Sequence, residues 1–314
     1  MSKLTAKKMK KSEVRDNING FLFALPWIIG FICFSLIPLL TSLYYSFTDF
    51  NPVKAPVWVG LENFKYLFRD PLIFKSLKNT LFMAFVSTPI NLFIAMLLAS
   101  VLNSKFKGRG VARTIFFMPS IIPMVAATMV WIWMFDPTYG YINRVLDLIG
   151  ISGPSWLLNP AYTKWALVLM GTWCTGTTML ICLAALQNVP RSYYESAEID
   201  GANSINKFFK ITLPCVAPVL VYQAILNIIN SFQYFTQVYV IINASSGGGA
   251  STAGGGPANS ILMYPLYLFN NAFSYMKMGR ASAMAWFLFV IVCVLTLIMT
   301  KITKKVSNNG MGGE

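Results

Sequence analysis

The chain has 314 residues, of which 56% are hydrophobic and 11% charged, with a mean hydropathy of +0.58. That balance excludes an ordinary water-soluble domain. A net charge of +14 would admit nucleic acid as a partner, but the basic residues gather at the edges of apolar runs, where topology and anionic headgroups account for them.

The basic tail, residues 1–19, carries Lys3, Lys7, Lys8, Lys10, Lys11 and Arg15. An apolar run from Phe21 to Phe47 follows, about twice a signal-peptide h-region and without a small-residue cleavage site, which predicts a retained membrane span. A span needs about 20 predominantly apolar residues. Thr80–Leu102, Thr114–Phe135, Tyr162–Leu186, Val216–Ile242 and Ala281–Ile302 also meet that requirement, and no Asp or Glu interrupts any of the six. Lys164 sits near an end of its span, where it can snorkel to the interface.

Between the first two spans, Glu62–Thr80 interleaves apolar and charged residues and predicts two short interfacial helices broken at Pro71. The loop Asp136–Thr163 predicts a short helix ending at Gly150 and an interfacial Trp156. A second loop, Asn243–Arg280, contains a Gly-rich stretch at 245–256 that reads as a linker. Pro26, Pro38, Pro89, Pro119, Pro123 and Pro218 lie in or near spans and invite kinks.

Sixteen of the 25 Lys and Arg fall in the N-terminal tail, the 105–113 connection, the 191–210 loop and the C-terminal end. The positive-inside bias therefore predicts that both termini and the 191–210 loop are cytoplasmic. Five of the nine dissenters lie in Lys54–Lys78. Residues 20–302 are expected to form the membrane domain, and 303–314 a second cytoplasmic tail.

Some chemistry is absent from the sequence. No His occurs, which removes histidine-based triads and the commonest metal ligand. Gly-Lys never occurs, so there is no phosphate-binding G-x-x-x-x-G-K-[ST] loop. Cys33, Cys174, Cys182, Cys215 and Cys293 lack metal-ligand spacing and read as small hydrophobes. No catalytic residue, metal site or cofactor is expected in this chain.

The most informative stretch is the polar loop Arg191–Pro214. Asn188 and Pro190 suit a helix start, Gly201 a helix end, and Ser204 the cap of a second helix. Glu195, Glu198 and Asp200 place three acids within six residues, while Ala197 and Gly201 would let a partner surface approach closely. Glu195-Ser196-Ala197, then Gly201, then Ile211-x-Leu213-Pro214, resembles the coupling loop of ABC importer permeases. The family pattern is Glu-Ala-Ala, Gly four residues on, and Ile-x-Leu-Pro; Ser196 is the one departure. Trp58-Val59-Gly60-Leu61-Glu62-Asn63-Phe64, Arg109–Thr114, Phe135–Gly140, Ser231-Phe232-Gln233 and Met278–Ala283 extend the resemblance to sugar-type permeases related to the maltose and glycerol-phosphate importers. Arg280 stands where an aromatic is common, and the large extracellular domain of the maltose permease has no counterpart.

The resemblance implies an all-α integral membrane protein with six transmembrane helices, a type I ABC importer transmembrane domain whose core unit is about 76–302. It implies a sugar permease of a bacterial cytoplasmic membrane. Its partners would be a second homologous permease, two ATP-binding subunits holding ATP and Mg, an extracellular solute-binding protein and membrane lipid. Glu195, Ser196, Ala197, Glu198, Asp200 and Gly201 would dock the ATPase.

A sugar path needs amides, hydroxyls and an aromatic platform. Gln223, Asn227, Asn230, Tyr234 and Gln237 recur at helical spacing on the fifth span, and Trp173 and Thr177 stand four apart on the fourth. Hydrogen bonding between helices is the simpler use of such groups. An ion-coupled carrier and an importer of a phosphorylated polyol stay open as alternatives.

Overall fold

The computed structural model describes residues 11–104, 106–245 and 254–311, so most of the Gly-rich stretch lies outside the described residues. Four helical segments are long and apolar enough to cross a membrane: Asn19–Ser46, Pro71–Asn103, Ser204–Ala244 and Met278–Lys301. Two bent pairs supply the other spans. Arg109–Ile121 meets Met124–Met134 at 100°, and Pro160–Trp173 meets Gly176–Gln187 at 51°. In chain order these are spans 1 to 6, the bent pairs being 3 and 4. The end carrying the 191–214 loop is termed inner, and the opposite end outer.

Proline sets much of the helix geometry. Its ring clashes with the carbonyl four residues back and offers no N–H to it. Three widened π-helical turns, Ile32–Leu36, Met83–Ser87 and Phe208–Thr212, each begin six residues before a proline: Pro38, Pro89 and Pro214. The carbonyl that the ring would strike lies inside each widened turn. Hydrogen bonds reach five residues back there, from Ile37 N–H to Ile32 O and from Leu213 N–H to Phe208 O. Pro26 and Pro218 remain inside regular helix. Span 3 breaks at a 3-10 turn, Met118–Ile121, which contains Pro119 and is followed by Pro123.

Three expectations are corrected. The second short helix predicted after Pro71 does not end in the interface: Pro71–Phe82 runs on through the π turn into span 2. Asp70 caps it by accepting from Leu72 N–H at 2.9 Å. Ser204 is not a cap but a first helical residue; Asn203 caps, accepting from Asn206 N–H at 2.8 Å. Span 5 is interrupted, with helix over Leu213–Ser231 and again over Thr236–Ser245.

Two large apolar cores form, one toward each end, and Ala84, Ile228 and Phe232 make a smaller third cluster. The outer core joins Leu67, Ile73, Trp131, Phe135, Leu167, Tyr264 and Met284. The inner core joins Ala95, Ala99, Leu102, Met179, Leu183 and Val216. Ala95 and Ala99, fully buried and one turn apart, let span 2 lie close to the inner half of span 4. On the outer side, a hairpin of Thr48–Asn51 and Lys54–Trp58 is held by Asn63, whose amide donates to Ser46 O at 3.0 Å and Thr48 O at 2.8 Å.

Gly176 opens the inner half of span 4 against the break of span 3. A Cβ there would stand 2.5 Å from Ser120 Oγ and 2.8 Å from Phe116 O. Gly176→Val is expected to cost about 1–3 kcal/mol through overpacking and to lower the thermal transition of the detergent-solubilised chain. Gly30→Ala, whose Cβ meets nothing within 4 Å, should leave it unchanged.

Candidate docking loop and polar path

The inner loop folds into a short helical hairpin. Its first helix, Arg191–Ile199, starts after Pro190 and ends at Gly201, which takes the left-handed φ of +73° that a side chain would disfavour. Ala202 N–H closes the turn on Ala197 O at 2.9 Å. Ser204–Lys207 follows and leads into span 5 through the Phe208–Thr212 turn.

The hairpin is anchored on one face and open on the other. Tyr194 packs against the inner core and its hydroxyl bonds Thr212 Oγ1 at 2.8 Å. Lys207 Nζ pairs with Glu198 Oε1 at 2.7 Å across the hairpin. Glu198 is thus engaged internally, which leaves Glu195 and Asp200 as the hairpin's exposed acids without an ion pair among the described residues. Ser196 is exposed and Ala197 half-buried.

Sequence reading missed an apolar component of this surface. Ile199 is 87% exposed, and Ile205 and Phe209 are also exposed. Isolated apolar residues in a polar loop were the available signal. Together with Glu195 and Asp200 they make an apolar, acid-edged surface on a hairpin bolted to spans 2, 4 and 5.

Between the two cores, span 5 carries polar atoms without protein partners. Gln223 Nε2, Asn227 Nδ2 and Tyr234 OH are buried and unpaired, as is Trp131 Nε1 of span 3. Tyr234 and Gln237 line a cavity of about 20 Å³ together with Trp131, Gly171 and Cys174, room for about one water molecule. Trp131 meets Trp173 edge-on, with ring centroids 5.8 Å apart.

The expected single helical face is not realised. Tyr234 lies in the interruption of span 5 and Gln237 beyond it, because the helix ends at Ser231. Asn230 is exposed. Trp173 ends one half of span 4 and Thr177 opens the other, so the break at Cys174-Thr175 removes their regular four-residue relation. Thr172 donates to Asn91 Oδ1 at 2.9 Å and joins span 4 to span 2. Trp131 is the residue that sequence reading overlooked; inside a continuous apolar run its indole N–H gave no sign of lacking a partner.

The outer end is closed by a clamp. Asp70 accepts from Tyr66 OH at 2.9 Å and from Tyr267 OH, while Arg280 stacks over the Tyr66 ring at 4.1 Å. Arg280, a departure from the family pattern, therefore has a defined contact. Asn79 donates to Asn259 O and Leu262 O, and Tyr264 N–H donates to Thr80 Oγ1, fixing the 255–275 segment onto span 2. Among the described residues no group of three His, Cys, Asp or Glu could hold a metal.

A multi-span helical protein with an exposed inner hairpin and a polar middle has the form of a membrane permease. The chain belongs to the family of binding-protein-dependent transport system inner membrane components, which matches residues 91–308. It is 42% identical over 299 residues to the probable ABC transporter permease protein YesP of Bacillus subtilis, covering 94% of each chain. It is 34% identical over 287 residues to the lactose transport system permease protein LacF of Rhizobium radiobacter, covering 90% of this chain and 93% of that one. A crystal structure of a bacterial ABC transporter involved in the import of the acidic polysaccharide alginate contains the same fold, with a TM-score of 0.78 over 94% of this chain and 98% of that one, at 22% identity. The architecture is that of the type I ABC importer transmembrane domain, with each bent pair forming one of six spans.

Burial, and then the Asp70 carboxylate, raise the pKa of both Tyr66 and Tyr267 above the ordinary 10.0. The folded state holds these protons more tightly than the unfolded one. Their contribution to stability is thus complete below about pH 10 and is lost as pH rises through the raised folded values. Thermal transitions measured above pH 10 should fall for the wild type, and fall less for a Tyr66→Phe, Tyr267→Phe double variant.

Proposed function

We propose that this chain is one permease of a binding-protein-dependent ABC importer that carries a mono- or oligosaccharide inward. A second, similar permease completes the pathway. Two separate ATPase subunits bind ATP and Mg and dock on the inner hairpin, and an extracellular binding protein delivers the sugar. Both termini and the hairpin face the cytoplasm. The reading is supported by family membership, by the Lys and Arg distribution and by the relative named for lactose transport.

The observation that carries the mechanism is the asymmetric mounting of the hairpin. Tyr194 and Thr212 tie it to the inner core and the Glu198–Lys207 pair closes it, while Glu195, Ile199, Asp200 and Ile205 face outward. Closure of the ATPases would move the hairpin as a body and carry spans 4 and 5 with it. Shape contributes more than charge to this docking, since exposed ion pairs supply only about 0–1 kcal/mol.

For the sugar, the supporting feature is the set of unpaired polar atoms on Gln223, Asn227, Tyr234 and Trp131. Buried polar groups without partners cost about 1–3 kcal/mol each, and a hydroxyl-rich solute passing between them would supply those bonds. Trp131 and Trp173 offer apolar platforms for a sugar ring. No span contains an Asp or Glu, which speaks against proton-relay coupling, and no basic pocket lines this region for a phosphorylated polyol.

Affinity capture of the chain from its own membrane should recover an ATPase, a second permease and a binding protein. A Glu195→Lys, Gly201→Trp variant should lose the ATPase and keep the second permease; retention of the ATPase would refute the docking assignment. In uptake assays of the complex, Asn227→Ala and Trp131→Phe should each change transport affinity or rate by about 5- to 30-fold, the equivalent of one or two hydrogen bonds. Unchanged uptake in both would remove them from the path.

A further inference from the structure

Lys75, Lys78, Asn79 and Phe82 lie on one face of the helix that begins span 2, at spacings of three, four and seven residues from Lys75. Lys164 of span 4 reaches the same face. Its Nζ stands 3.4 Å from Asn79 Oδ1 and 4.9 Å above the Phe82 ring. Trp165 meets Phe82 edge-on at 5.6 Å. Lys75 and Lys78 are exposed and Lys164 is half-buried.

These amines have no anionic partner among the described residues. Among the described residues the ion pairs are Lys65–Glu62 and Lys207–Glu198. Asp70, the acid preceding Lys75 in sequence, is held by Tyr66, Tyr267 and the N–H of Leu72.

Their depth is set by the apolar run of span 2, which begins at Thr80. At 1.5 Å per residue, Lys75 and Lys78 lie roughly 3–8 Å beyond it, at headgroup level. Trp165 is a residue of the interfacial belt. The cluster also contributes to the outer excess of cations in Lys54–Lys78 that runs against the positive-inside bias.

We propose that Lys75, Lys78 and Lys164 form a binding site for the phosphate of an anionic phospholipid. The acyl chains run along Phe82 and Trp165, and the lipid bridges the outer ends of spans 2 and 4. The translocated solute is a poorer fit for this site. Lys164 precedes Trp173 by nine residues in one helix, two and a half turns, so it lies on the opposite side of that helix from the platform residue. The inference rests on the membrane reading of the spans and is independent of the sugar assignment.

The test is native mass spectrometry of the full chain in detergent, titrated separately with phosphatidylglycerol and phosphatidylcholine. The wild type should bind one phosphatidylglycerol in preference to phosphatidylcholine. Each amine lost should weaken that binding about fivefold, and Lys75→Gln, Lys78→Gln, Lys164→Gln together roughly 100-fold. The triple Lys→Arg variant should retain it. If the triple Gln variant does not fold, the single variants Lys75→Gln and Lys78→Gln, both at exposed positions, carry the test. Equal affinity for the two lipids, or undiminished phosphatidylglycerol binding in the Gln variants, would overturn the proposal. So would an alginate oligosaccharide that binds the wild type and not the Gln variants while lipid binding is unchanged.

Discussion

Hydrocarbon offers the backbone no water, so each interruption of a spanning helix must find its hydrogen bonds within the protein. This constraint organises the whole chain. Where a proline disrupts spans 1, 2 or the entry to span 5, the preceding turn widens and keeps the ladder intact with bonds five residues long. Where the chain breaks outright, in spans 3 and 4, the breaks are packed on each other, Gly176 against Phe116 and Ser120. The interruption of span 5 at Tyr234 closes over the same region. The breaks of spans 3, 4 and 5 meet beside the unpaired groups of Trp131 and Tyr234.

That distribution separates stiffness from adaptability. The inner core and the hairpin form one packed body: Tyr194 and Phe208 pack into the core, and the Glu198–Lys207 pair closes the loop. The outer end is tied by Asp70, Asn79 and Thr80 to the 255–275 segment. Gln223, Asn227 and Tyr234, with Trp131 of the outer core, have hydrogen-bonding capacity that the protein does not use.

The exposed apolar surface follows from the same logic. Span 1 buries almost none of its apolar window within the chain, and the outer faces of spans 2 and 6 carry Phe93, Phe289 and Leu297 outward. Such surface is ordinary against lipid or a second permease. Ile199, Ile205 and Phe209 differ because they lie on the polar hairpin, where exposure has a cost that a docked partner would remove.

The sequence by itself determined the number of spans, the polar hairpin and its helix limits at Pro190 and Gly201. Those follow from local rules: apolar run length, proline geometry and the left-handed turn that glycine accepts. It also marked Gln223, Asn227 and Tyr234, because amides and phenols in an apolar run are conspicuous. Only the tertiary structure decided that span 5 stops at Ser231, that Glu198 is engaged by Lys207, and that Trp131 belongs with the polar middle. Each of these depends on a neighbour distant in sequence or on a break that packing stabilises, and periodicity along one helix carries no record of either.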